Sequence, residues 1–237
     1  MPIFFFLFLA VLALPIIWPQ VDLLASGVFY RPGEGFFLAD NPVFVALHWL
    51  AYDGARVLGV AFAVFAAAAY YQHRKSGKKE NLLLGLDDKA WLFLLLALLI
   101  GPGLVANVGL KDHWGRARPR EVVEMGGTQA FSPVYVPQFH NAHSNGSFVS
   151  GDGAFGFFLP VFAYVVPRRA SRRVFWGCMI AGGLFGFARL AMGAHFLSDL
   201  VYAAFFVMAA AAGVHTAMYG LRETIARWRG WFRAPVL

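Results

Sequence analysis

Six apolar stretches divide the chain, near residues 3–18, 54–71, 90–110, 147–166, 174–192 and 199–219. Each is close to the roughly 20 residues that a helix needs to cross the hydrocarbon of a bilayer. They predict an all-α fold: one membrane-embedded domain over residues 1–237 with six transmembrane helices. Hydrophobic residues make up 59% of the chain and charged residues 14%, too little charge to cover a soluble surface, and 25 phenylalanines suit a surface facing lipid. The net charge of +7 is spread in short clusters between apolar runs, not along one stripe, so nucleic acid is not an expected partner. Cys178, alone in an apolar run, reads as a packing residue. The first run lacks a basic leader and a small-residue cleavage site, and is expected to be retained as a helix.

Short loops on the cytoplasmic side of a membrane keep an excess of Lys and Arg. Arg74, Lys75, Lys78, Lys79 and Lys89 mark one loop, Arg168, Arg169, Arg172 and Arg173 another, and Arg222, Arg227, Arg229 and Arg233 the C-terminal tail. With six helices all three fall on one side. The expected topology is therefore a multi-pass inner-membrane protein with both termini cytoplasmic. Residues 19–53, 111–146 and 193–198 then face outward. The first of these holds Phe29, Tyr30, Phe36, Phe37 and Trp49 beside Pro32, Gly33 and Gly35, and suits either an interfacial segment at headgroup level or a simple covering loop.

The second outward segment breaks the charge rule. It opens Lys111-Asp112-His113-Trp114-Gly115-Arg116-Ala117-Arg118-Pro119-Arg120. If the third helix continues to about Arg118, Lys111 and Arg118 project from one face about two turns apart and form an anion clamp. The same cluster would also suit a snorkelling belt around Trp114. Further on, Ser150 and Gly151 open the fourth helix at its outward end, where free backbone N–H groups favour a phosphate, although Ser150 and Asp152 are also ordinary capping residues. Arg189, His195 and Asp199 lie where the fifth helix ends and the sixth begins. If that stretch is helical, Asp199 meets His195 on one face and holds one imidazole nitrogen, leaving the other as a nucleophile. A buried polar pair that only stabilises the bundle is the simpler alternative.

Loop charges that have nothing to do with these three features put all of them on the same side. Together they supply cations, an activated histidine and a backbone cradle, the requirements of phosphoryl transfer. His113, His140 and His143 are not spaced as a metal site, and neither a metal nor another cofactor is expected.

Over residues 90–200 the chain resembles the type 2 phosphatidic acid phosphatase superfamily, whose signature is Lys-x6-Arg-Pro, Pro-Ser-Gly-His and Ser-Arg-x5-His-x3-Asp. Lys111, Arg118 and Pro119 match the first part; Arg189, His195 and Asp199 match the third, with Ala188 in place of its serine. In the middle part Ser150 and Gly151 match, but Val149 stands for proline and Asp152 for histidine. The resemblance implies a phosphatase in which His195 becomes phosphorylated and Asp199 orients it. Lys111, Arg118, Arg189, Ser150 and the Gly151 amide would bind the phosphate. The middle-motif histidine protonates the leaving alcohol in such enzymes; here that duty falls to Asp152 or to His113, His140 or His143, unless the chain only binds. The implied substrate is a membrane lipid phosphate taken from the outer leaflet. The lipid A phosphatase branch is the most similar, with undecaprenyl pyrophosphate, phosphatidylglycerol phosphate, phosphatidic acid and transfer to a second lipid as alternatives. A small transporter or a noncatalytic scaffold is the alternative from another class; charges midway along several helices would favour transport, and most of the charge lies at helix ends.

Overall fold

The computed structural model describes residues 2–76, 83–142 and 144–232; Lys78, Lys79, His143 and Arg233 lie outside them. Helix α1 (Pro2–Ile17) turns by 95° into α2 (Gln20–Gly27) at Trp18 and Pro19, because proline has no N–H to continue the ladder. A two-residue antiparallel hairpin, β1 (Tyr30–Arg31) with β2 (Gly35–Phe36), leads to α3 (Pro42–Ser76). The Asn41 side chain caps α3, accepting the Val43 N–H at 3.0 Å. The expected interfacial segment 19–53 is thus a short helix, a hairpin and the first turns of α3.

Asp87 caps α4 (Asp88–Leu98) by accepting the Ala90 N–H at 2.7 Å. Around Gly101, Pro102 and Gly103 this helix widens into a π-helix over Leu99–Lys111, with the Asn107 side chain donating to the Pro102 carbonyl at 2.7 Å, and it closes with α5 (Asp112–Trp114). It does not continue to Arg118. Gly115, at φ 72°, turns the chain where a Cβ would collide with the Gln138 carbonyl, and Arg118 is extended before Pro119.

The expected fourth span is also shorter than its apolar run. α6 (Gly151–Phe158) gives way to a 3₁₀ stretch, Leu159–Tyr164, because the ring of Pro160 blocks the carbonyl four residues back. Two long helices follow, α7 (Arg168–Ala191) and α8 (Leu197–Tyr219), then the short α9 (Leu221–Phe232). Among the described residues four segments are long and apolar enough to cross a membrane, Pro42–Lys75, Asp88–Glu121, Arg168–Ala191 and Leu197–Tyr219, and the bent α1–α2 pair makes five. Six separate spans are therefore not reached by length and composition.

The core is aromatic, with Phe93, Phe158, Tyr164 and Trp231 buried between helices. Gly156 and Gly182 bring the backbones of α6 and α7 into direct contact, as small residues do between membrane helices. The ends of the bundle differ chemically. At one, Arg168 pairs with Glu223 and Arg227 donates to the Val166 carbonyl. At the other, the start of α3, the end of α5, the start of α6 and the α7–α8 turn meet.

Candidate active site

The α7–α8 turn sets the site. Gly193 reverses the chain at φ 65°, and the Phe36 ring from the hairpin lies where a Cβ would be, so the turn and the N-terminal segment fit only around glycine. His195 follows in this turn, 2% exposed, before α8 begins at Leu197. It is therefore not on a helical face with Asp199. The closest approach of Nδ1 to Asp199 Oδ2 is 3.8 Å, and Nδ1 instead donates to the Ser147 carbonyl at 2.8 Å. That bond fixes the tautomer and leaves Nε2 with the lone pair. Burial pushes the imidazole down to about 4, and Arg189 and Lys111 push the same way against Asp199, so His195 is neutral at physiological pH.

Asp199 acts one step further back. Its Oδ2 accepts from the Ser147 hydroxyl at 2.6 Å and the Phe196 N–H at 2.8 Å, while Oδ1 accepts from Arg116 Nη1 at 2.6 Å. Arg116 is fully buried and also donates to Asp22 Oδ2 at 2.8 Å, to Ser198 Oγ at 2.8 Å and, through Nε, to the Ser132 carbonyl at 3.0 Å. Asp22, from α2, accepts the Ser198 N–H at 2.8 Å. One arginine between two carboxylates, each with further donors, is the arrangement in which a buried charge is tolerated.

The middle motif is threaded between the other two. The Ser147 N–H donates to the Arg116 carbonyl at 3.0 Å and the Ser150 N–H to the Asp199 carbonyl at 3.3 Å. Ser150 caps α6 by accepting the Gly153 N–H at 3.1 Å, which leaves the first amides of the helix for an anion. Lys111 Nζ lies against Gly151, where a Cβ would come within 3.2 Å of it. Lys111, Arg118, Arg189 and Asp152 are all within electrostatic range of one another. Among the described residues the Lys111 and Arg118 side chains make no hydrogen bond or ion pair, and Arg189, 7% exposed, has only the Met192 sulfur and one carboxylate beside it. Asp152 is the carboxylate that all three cations share, with Asp112 near Lys111 and Glu121 and Asp199 near Arg118, and the cluster of cations offers a site for a phosphate.

Asp152 Oδ2 lies 3.0 Å from Arg189 Nε, out of line for a hydrogen bond, and 2.7 Å from His48 Nδ1. His113 and His140 stand apart: the first bonds to the Val108 carbonyl at 2.7 Å, and both are exposed. His48, Asp22, Arg116 and the Ser147 carbonyl were not legible in the sequence as parts of this site. The only available signals were an acidic residue beside Pro19 in an apolar stretch and an extra arginine inside Lys-x6-Arg-Pro.

Residues 90–223 match the model of the PAP2 superfamily. The chain is 32% identical over 210 residues to a lipid A 4′-phosphatase of Francisella tularensis subsp. novicida, covering 88% of this chain and 90% of that one. It is 29% identical over 209 residues to a lipid A 4′-phosphatase of Rhizobium leguminosarum, covering 83% and 87%. To a third so named, from Rhizobium etli, it is 30% identical over 206 residues, covering 81% and 76%. No solved structure matches significantly.

Proposed function

The chain belongs to the PAP2 superfamily, and on that premise we propose that it hydrolyses a phosphomonoester of a membrane lipid through a phosphohistidine on His195. The names of its relatives favour a lipid A phosphate over undecaprenyl pyrophosphate, phosphatidylglycerol phosphate or phosphatidic acid. One observation carries the reading. A buried neutral imidazole, held through Nδ1 by the Ser147 carbonyl, stands beside Arg189 and Lys111, and Arg118 is in electrostatic range of both.

In the first step Nε2 of His195 attacks phosphorus and the lipid oxygen leaves. Lys111, Arg118 and Arg189 balance the charge on the equatorial oxygens, with Ser150 and the Gly151 amide completing the cradle, a task of positioning and electrostatics. The leaving oxygen takes its proton from the corner occupied by Asp152. In the second step water cleaves the P–N bond and releases phosphate. Asp199 and Arg116 keep the His195 turn in place.

We read six crossings. The α6–3₁₀ segment runs from Asp152 at the site to Tyr164, which bonds to Trp228 at the basic end, and α1 packs along α8, Leu12 against Tyr202 and Phe8 against Phe205, before α2 carries Asp22 to the site. The basic end is assigned to the cytoplasm, so the site opens at the outer, periplasmic leaflet of the inner membrane and lipid enters sideways. The test is phosphate release from lipid A bisphosphate by detergent-solubilised protein, with mass spectrometry of the lipid. Wild type should remove one phosphate and release it as inorganic phosphate; His195→Ala should lose at least about four orders of magnitude in rate and form no phosphoenzyme. Equal rates for the two would sink the assignment. Phosphate appearing on a second lipid would make it a transferase.

A further inference from the structure

The corner from which the leaving oxygen draws its proton contains two candidate groups. Asp152 occupies the position of the family's acid histidine, but its Oδ2 is already taken up by His48 Nδ1 at 2.7 Å and Arg189 Nε at 3.0 Å. An oxygen between an imidazole and a guanidinium serves as an acceptor. The imidazole is the group in this pair that can carry and surrender a proton on its free side: with Nδ1 on the carboxylate, Nε2 points away from it.

We propose that His48 is the proton donor to the leaving lipid oxygen and that Asp152 positions it. A histidine from α3 thereby restores, from outside the motif, the imidazole that the middle motif lacks. This rests on the phosphohistidine reading above. In its imidazolium form His48 gives the Nε2 proton to the oxygen as the P–O bond breaks and the His195 N–P bond forms, yielding the alcohol and a neutral His48. In the second half neutral His48 takes a proton from the attacking water as the N–P bond breaks, which returns both histidines to their starting states.

The packing of α3 supports a fixed role. Leu47, Ala51, Ala55 and Leu58 recur at helical spacing and dock on Phe155 of α6 and Phe185 of α7. Gly54 lies so close to the Phe155 ring that a Cβ there would come within 2.9 Å of it. This contact presses the start of α3 onto the start of α6, one to two turns from His48. The His48 side chain is 30% exposed, so its ring is accessible from outside the protein core.

The experiment compares two lipid-anchored phosphomonoesters with the same acyl chain, one with an alkyl and one with a 4-nitrophenyl leaving group. The nitrophenolate needs no proton to depart. His48→Gln should lower turnover of the alkyl ester by about 100-fold or more and that of the nitrophenyl ester by less than about 10-fold. Asp152→Asn, with His48 present but unheld, should show the same selectivity with a smaller loss, and serves if His48→Gln does not fold. Equal losses on both esters in a folded variant, or no loss on the alkyl ester, would overturn the proposal. His195→Ala should lose both esters. If it keeps them, the phosphohistidine reading fails and His48 falls with it; if wild type cleaves neither ester, the phosphatase reading fails first.

Discussion

Residues 90–223 and residues 2–76 build the same corner in different ways. The first region carries every residue of the signature, and its elements are stitched together by bonds to backbone carbonyls, such as Ser150 N–H to the Asp199 carbonyl and His195 Nδ1 to the Ser147 carbonyl. The N-terminal region has no motif at all. Yet it supplies Asp22 to the buried arginine, the Phe36 ring to the His195 turn and His48 to Asp152. Reacting groups can thus sit in one part of a chain while the groups that hold them come from another that looks like mere membrane anchor.

The comparison breaks most visibly at Asp22. Asp22→Ala leaves Arg116 half-paired in a fully buried site, and unfolding in detergent should show a loss of about 3–5 kcal/mol although no signature residue has changed. A loss below about 1 kcal/mol would mean that α2 only covers the site. Arg118→Ala should do the reverse. Its side chain has no partner to lose among the described residues, so stability should hold, while kcat falls about 10²–10³-fold because one cation is missing from the transition state; measuring both on the same preparation separates the two regions. The smallest effect is in the pH profile. Burial holds the His195 imidazole near 4, below the ordinary 6.5, so it stays neutral as pH falls through 6 and takes up a proton only near 4. The acid limb of kcat/KM, which reports the free enzyme, should therefore lie near 4. A limb at 6.5 belonging to the nucleophile would show that the turn leaves His195 open to water.

Lys111, Arg118, Arg189, His195 and Asp199 were legible as candidates for one site because their side-chain chemistry and order on the chain survive any detail of the fold. Loop charge placed them at one end of a helical bundle, and the helices do bring them there. Local geometry was less legible. The third helix stops at Trp114, short of the Arg118 that would put both cations of the first motif on one helical face, because Gly115 takes a left-handed turn. The fourth was expected to span in one piece, but Pro160 tightens its second half. Asp199 was expected to hold His195 on a shared helix face, but His195 precedes the helix and a carbonyl at Ser147 does the holding.

By itself the sequence determined that this chain is a mainly helical membrane protein of the PAP2 superfamily and which residues are candidates to handle phosphate, since hydropathy, loop charge and motif spacing act over short stretches of chain. Only the tertiary structure decided which groups serve that chemistry at one remove. His48 meets Asp152 across 104 residues, and Asp22 meets Ser198 across 176. No local period encodes such pairs. They exist because a bend at Pro19 and a close contact at Gly54 bring two distant helices to the same end of the bundle, one against the start of α8 and one against the start of α6.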